Sequence, residues 1–342
     1  MINNVDIVFG ACWGDEGKGK VTHYLASRKE YGDIPYYNFV CRYNGGSNAG
    51  HTIYHNGKKF ATHIVPSGVF YGIKSVIGPG CVVNLDAFYK EVAELQQGGV
   101  DVSLIKVHPR AHIVTNEHIV EDKAKLAGKL GTTGQGIAPA YRDKYARTGL
   151  LAKDSQLDKS FLLDEELTGN ILCEGAQGVW LDINWGSYPY VTSSECLPYA
   201  ACSLGFGPQR IKNIYAVAKA YDTRSGEDPD FPETLLSNPE LLAIADAGHE
   251  YGVTTGRRRK VNWLNLDKLV DSCNLTGTTT LIINKCDILD QLGTFKIFYD
   301  DRLMIFESLE HMKRFIKSCI ELECKEVRKI IFSSSPEIVE SL

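Results

Sequence analysis

A set of short, continuously apolar runs constrains the fold most: Asp6-Ile7-Val8-Phe9, Ser75-Val76-Ile77, Asn170-Ile171-Leu172-Cys173, Ile214-Tyr215-Ala216-Val217 and Leu281-Ile282-Ile283. Each is soon followed by glycine, asparagine or a charged residue. Runs of this length without polar alternation are strands covered on both faces. Helical spacing fills the intervals. Asn84 is placed to cap a helix presenting Leu85, Phe88, Val92 and Leu95, and Phe306, Leu309, Met312, Phe315, Ile316 and Ile320 recur similarly. Strands alternating with helices imply an α/β fold with a mostly parallel central sheet flanked by helices and long loops. No repeat, low-complexity segment or linker divides residues 1–342, so one large domain is expected, and 44% hydrophobic residues can fill its core.

The net charge is −5, with lysines and arginines scattered, which argues against a surface for a nucleic-acid backbone. The start, Met1 to Asp6, has no basic region, and no window reaches the roughly 18 apolar residues of a membrane span. A cytoplasmic protein with neither nucleic acid nor membrane as partner is expected. The 10 cysteines stand singly, with no C-x-x-C pair, and read mostly as buried small hydrophobes. His108 and His112 do not read as a metal pair, because Pro109 disfavours the helix that would align them.

The first strand leads into Gly10-Ala11-Cys12-Trp13-Gly14-Asp15-Glu16-Gly17-Lys18-Gly19-Lys20 and then a helix-like segment from Val21. Glycines let backbone N–H groups approach phosphate oxygens, a helix N-terminus favours negative charge, and lysine adds a point charge. The usual Gly-x4-Gly-Lys-Ser/Thr spacing is absent, and an acidic pair stands inside the loop. Asp15 can ligate a Mg²⁺ that bridges phosphates, or take a proton from a nucleophile, or do both. The plainer alternative is a solvated turn with capping acids.

Further polar loops favour chemistry. Asn44 to Thr52 is a small-residue turn ending at His51; a lone histidine is more often structural, but its glycine-rich flanks favour a group that can donate a proton to a developing oxyanion. Gly131-Thr132-Thr133-Gly134-Gln135-Gly136 offers donors suited to a phosphate monoester, and Arg142, Lys144 and Arg147 add cations. Glu174 to Gly178 and Gly186 to Ser194 supply more small donors, and Thr254 to Arg259 brings guanidiniums that match carboxylate and phosphate. Asn284-Lys285-Cys286-Asp287 after a strand places a carboxylate for a guanine edge. A phosphate loop with this last motif also fits a guanine-nucleotide-binding switch, but a switch has no use for the extra anion sites.

In order, the stretches Trp13–Lys20, Gly45–Thr52, Gly131–Arg147, Glu174–Ser194, Thr254–Trp263 and Lys285–Asp290 resemble the adenylosuccinate synthetase family over nearly the whole chain. The resemblance implies a ligase in which GTP phosphorylates the 6-oxygen of IMP and the aspartate amine then displaces that phosphate. It implies that Asp15 removes the base's ring proton and binds Mg²⁺ with the Gly50 carbonyl, that His51 acts as an acid, and that Lys18 stabilises the transferring phosphoryl. Asn48, Thr133, Gln177, Thr192 and Arg257 would hold the acceptor nucleotide, with Arg147 reaching its phosphate from a partner subunit, so a homodimer follows. Val253, Thr254, Thr255, Gly256, Arg257 and Arg259 would take aspartate. The donor nucleotide would meet Gly14, Glu16, Gly17, Lys18, Gly19, Lys20, Gly50, His51, Thr52, Arg259, Lys285, Asp287, Ser334 and Ser335.

The chain departs from the family pattern in being short after Arg147 and after Asp290. Ser333-Ser334-Ser335-Pro336 replaces the usual Ser-Thr-Gly-Pro, and Ser225-Gly226-Glu227-Asp228-Pro229-Asp230 is altered near the acceptor ribose. A viral branch of the family uses dGMP and usually lacks the acid at the Asp15 position. Retention of Asp15 argues for IMP; the short length and the altered stretch argue for the viral-type acceptor.

Overall fold

The apolar runs assemble into one eight-stranded sheet in which every neighbouring pair is parallel. Its strands are β1 (Ile2–Gly10), β2 (Phe39–Arg42), β3 (Lys74–Ile77), β4 (Ile105–Val107), β5 (Gly169–Glu174), β6 (Ile211–Lys219), β7 (Thr280–Asn284) and β8 (Lys329–Phe332). They lie in the order β8-β7-β6-β1-β5-β2-β3-β4. These features come from a computed structural model that describes residues 1–252, 256 and 258–335.

The sheet is covered on both faces, as uninterrupted apolar strands require. Within β1, Val8 packs with Val21, Leu25, Leu172 and Val217, whereas Ile7 packs with Cys41, Val76, Ile171 and Cys173. A smaller mixed sheet of Tyr221–Arg224, Lys260–Asn265, Lys296–Tyr299 and Arg302–Ile305 lies beside it. Asn84 does cap the helix Leu85–Gln97, accepting from the Ala87 N–H at 3.0 Å. The later helix is shorter than its spacing suggests. It runs Leu309–Glu323 behind a Ser308 cap, so Phe306 precedes it and packs at the core's edge. All ten cysteines are free, and only Cys202 is less than fully buried. His112 begins a strand and the His108 Nδ1 accepts from the Arg110 N–H, an arrangement unlike a metal pair. No described helix is long and apolar enough to cross a membrane.

Because all eight strands run the same way, their carboxyl ends share one edge, where parallel sheets place their ligands. Gly10, Arg42, Glu174, Lys219 and Asn284 end their strands there. Cross-strand register pairs Arg42 with Glu174 and Lys219 with Asn284.

Candidate active site

A cavity of about 790 Å³ opens at this edge. Its wall includes residues 13–20, 48–52, 130–133, Gln177, 190–193, Arg224, 247–252, Arg259, Lys285, Asp287 and Ser335. Chain segments far apart in sequence thus converge on one volume of a size suited to small-molecule ligands.

The loop after β1 is held by its own acid. The buried Glu16 carboxylate accepts from the N–H groups of Gly14 at 2.7 Å and Cys12 at 3.2 Å, and pairs with the Lys18 ammonium at 2.6 Å. Glu16, expected at the donor nucleotide, therefore uses its side chain to shape the loop. Gly17, at φ 97°, precedes α1 (Lys18–Ala26), a backbone conformation that favours glycine. Asn284 secures the loop from β7: its Nδ2 donates to the Glu16 carbonyl at 2.8 Å and its Oδ1 accepts from Lys20 Nζ at 3.0 Å. Lys20 also donates to Ser333 Oγ at 2.7 Å, and burial pulls its pKa down to about 8. The Asn-Lys-x-Asp motif thus spends its asparagine on the phosphate loop.

His51 is buried, its Nδ1 lying 2.6 Å from Glu174 Oε1. A Cβ on Gly19 would come within 2.7 Å of the His51 Cβ, so only glycine lets α1 approach the imidazole this closely. Glu174 also meets Arg42 Nη2 at 3.3 Å and accepts from the Ser67 N–H and Oγ at 3.1 and 3.0 Å. Burial pushes the Glu174 carboxyl up, but Arg42, His51 and Ser67 outweigh it and hold it at about 2. An ionised carboxylate can only accept, so Nδ1 carries the proton and Nε2 is left for a ligand. Burial, and then the Arg42 charge, keep the imidazole below its ordinary pKa. Without ligand the ring is neutral at pH 7.

Asp15, at φ 61°, is exposed within the phosphate loop. Its Oδ2 forms an ion pair with Arg259 Nε at 2.8 Å, without hydrogen-bond alignment. Arg259 is anchored from behind by the buried Glu250, which it meets through Nη1 at 2.7 Å. Lys219 Nζ reaches both Glu250 oxygens at 3.0 Å, and Tyr221 donates to Oε1 at 2.7 Å. Burial pushes Glu250 up, and Lys219 and Arg259 bring it down to about 2.

The acceptor residues Asn48, Thr133, Gln177 and Thr192 all line the cavity. The Asn48 Oδ1 accepts from the Gly46 N–H at 3.3 Å. Gln177, at φ 58°, has a buried Oε1 with no hydrogen-bond partner among the described residues, which suits a ligand N–H. Gly50, Thr52, Asp287 and Ser335 lie in the wall, Ser334 does not, and Lys285 donates to the Gly248 carbonyl at 2.9 Å. Val253, Thr254, Thr255 and Arg257 lie outside the described residues; Gly256 is described, at φ 64°, and is not in the wall.

Three of the cations singled out by the sequence do not serve this cavity. Arg142 pairs with Glu121 at 2.7 Å and Asp143 at 2.8 Å, Lys144 donates to the Pro79 carbonyl, and Arg258 pairs with Asp246. Arg147 follows the helix Ile137–Ala146, exposed, at φ 66°, and is not in the wall of its own chain's cavity. Conversely, Arg42, Lys219 and Glu250 went unmarked in the sequence, and Glu174 and Arg224 fell in marked stretches without a role of their own. The available signal was a charged residue just where an apolar strand ends, as at Arg42, Glu174 and Lys219.

A divalent cation with hard oxygen ligands fits this wall. Asp15 offers a carboxylate that already holds a cationic group, and Gly50 contributes backbone. No cluster of three or more metal-ligating side chains occurs among the described residues. Mg²⁺ keeps waters and substrate phosphates as ligands, so one carboxylate and one backbone carbonyl would be enough protein ligands to hold it.

Comparison with known proteins gives the family. A family model described as adenylosuccinate synthetase matches residues 7–168 and 153–303. The chain is 39% identical to the adenylosuccinate synthetase of Halothermothrix orenii, covering 87% of this chain and 82% of that one. It is 38% identical to that of Shouchella clausii, covering 85% and 79%. Among solved structures, the fully ligated adenylosuccinate synthetase of Plasmodium falciparum superposes with a TM-score of 0.79 at 25% identity, covering 98% of each chain. The cyanophage S-2L succinoaminodeoxyadenylate synthetase, bound to dGMP and to dATP as an energy donor, superposes at 0.75 with 20% identity, covering 98% of this chain and 94% of that one.

Proposed function

The chain belongs to the adenylosuccinate synthetase family and is a ligase, and on that premise we propose that it joins L-aspartate to IMP using GTP, with Mg²⁺, in the cytoplasm, as a homodimer. The observation that carries this reading is the exposed Asp15 carboxylate, held by Arg259 at the cavity that His51 also lines.

Asp15 accepts the ring N–H proton of the 6-oxopurine, and the 6-oxygen gains the electron pair with which it attacks the γ-phosphorus of GTP. The bond to the GDP oxygen breaks. The backbone N–H groups of residues 14–20 and the Lys18 ammonium meet the phosphoryl oxygens, and Lys18 must then share itself with Glu16. Mg²⁺ bound by Asp15 and the Gly50 carbonyl would offset phosphate charge. His51 Nε2, gaining a proton as phosphate charge raises its pKa, donates to the same oxygens. The aspartate amine next attacks the purine carbon and phosphate leaves. Asn48, Thr133, Gln177 and Thr192 hold IMP, and Arg147 of a second copy reaches its phosphate, which accounts for its exposure here. Residues 253–257 with Arg259 take aspartate, and Lys285, Asp287 and Ser335 take the donor base.

A second reading has its own support. Arg224 in the cavity wall is tied down by the altered stretch, meeting Asp228 at 3.2 Å and the Ser225 carbonyl at 2.7 Å. This stretch therefore sets the wall's shape and could admit dGMP, with ATP as an alternative donor. The test offers IMP and dGMP side by side, each with aspartate, Mg²⁺ and either GTP or ATP. Turnover of IMP with GTP is expected. Preference for dGMP establishes the second reading, and no phosphate release in any mixture overturns the ligase reading.

A further inference from the structure

Beside the cavity wall, Tyr251 and Arg258 bring two stretches of the chain together in a neck. Tyr251 and Arg258 form an antiparallel bridge, and the Arg259 N–H donates to the Glu250 carbonyl at 2.9 Å. The same two residues are joined again through their side chains, Nη1 to Oε2 at 2.7 Å. Glu250 is thus clamped to Arg259 by backbone and by charge at once. Behind it, Lys219 at the end of β6 supplies a second cation and Tyr221 a hydroxyl. A Cβ on Gly248 would lie 2.3 Å from the Tyr221 hydroxyl oxygen and 3.3 Å from Glu250 Oε1, so the chain passes tightly over this group.

The consequence concerns Asp15. Arg259 carries one nitrogen to Glu250 and another to Asp15, so the carboxylate behind the neck fixes the guanidinium that faces the reacting end of the cavity. We propose that Glu250 is a positioning residue that locks the neck at Tyr251 and Arg258 to the sheet through Lys219 and holds Arg259 toward Asp15, setting the affinity for the amino-acid substrate. The identity of that substrate rests on the ligase reading; the lock itself does not. Lys219 keeps the buried carboxylate compensated, since a buried charge stripped of its partner is strongly destabilising.

Two measurements on the full chain test this, using Glu250→Gln, Glu250→Asp and the double variant Lys219→Met with Glu250→Gln. The double variant removes one cation and one anion together, which guards against a single variant that fails to fold. Hydrogen exchange without ligand reads the lock. In Glu250→Gln the neck amides of 251, 258 and 259 should exchange roughly tenfold faster or more, as for a lost charge-assisted hydrogen bond, while those of 10–20 do not change. Unchanged exchange at the neck overturns the proposal whatever the enzyme's substrates are. Steady-state kinetics reads the consequence. The KM for aspartate should rise about ten- to a hundredfold, as a misplaced contact does, with the KM for the nucleotide steady and part of the effect recovered in Glu250→Asp. A fall in kcat that tracks the folded fraction, with both KM values unmoved, reduces Glu250 to a fold residue and overturns the proposal. Absence of product from the wild-type protein under the same conditions instead sinks the ligase reading, and the exchange result still decides the lock.

Discussion

Glu174 and Glu250 both carry a fully buried carboxylate brought to about 2 by a pair of basic side chains, yet they stand on different foundations. Glu174 ends a strand in the middle of the sheet, and Arg42 is its register partner on the adjacent strand. His51 is therefore oriented from the centre of the parallel sheet. Glu250 lies on a connection beyond the helix Pro239–Ala247, tied to the central sheet through Lys219 and to the smaller sheet through Tyr221. What each carboxylate holds also differs. His51 is an imidazole that can gain or lose a proton, whereas Arg259 keeps its charge at any working pH. The comparison teaches that the His51 end of the cavity takes its orientation from the central sheet, and the Arg259 end from a permanently charged group held at a neck.

The largest effect expected comes from removing the group both arrangements serve. Asp15→Ala should lower kcat by about a thousandfold, in the range for loss of a general base, with the thermal midpoint close to wild type. Activity within a few-fold of wild type breaks the account of both ends. Next comes Glu174→Gln, expected to lower kcat about a hundredfold because the ring loses its orienting carboxylate. It should also move the pH profile: taking a negative charge from beside His51 while Arg42 stays lowers the pKa of the acid, so activity fails at a lower pH on the alkaline side. Glu250→Gln should leave that limb in place. Equal movement in both variants erases the distinction.

The same carboxylates set acid stability. Their folded pKa values lie below the usual 4.5, so the stability they contribute is complete above that value and is lost as pH falls toward about 2. Acid unfolding of Glu174→Gln followed by far-ultraviolet dichroism should be flatter across this window than that of wild type; an unchanged slope contradicts the assignment. The smallest effect is expected at Arg142, where Arg142→Ala should change kcat and KM by less than about twofold, since its exposed pairs with Glu121 and Asp143 contribute little. A large loss would place it on a cavity, in this chain or a partner.

Sequence alone showed one half of this comparison much better than the other. The strands were legible because burial on both faces leaves uninterrupted apolar runs, and the phosphate loop because backbone approach demands glycine at fixed places. His51 was legible for the same reason, through the glycines that flank it. Glu250 and Lys219 were not, because 31 residues separate them and nothing local marks a pair that only strand packing brings together. Arg142 misled because a basic residue beside a polar loop looks the same whether it faces a ligand or two carboxylates. The start of the last helix was misplaced at Phe306 because a spacing pattern continues past the point where Ser308 caps the backbone.

The claim on which the account turns is that Asp15 makes the purine 6-oxygen a nucleophile toward phosphorus. It is tested most directly with IMP carrying heavy oxygen at that position, turned over with aspartate, GTP and Mg²⁺, and mass analysis of the released phosphate. The account predicts that the label appears in the phosphate, one atom for each product formed. Phosphate free of label, with the heavy oxygen recovered in water, would contradict it.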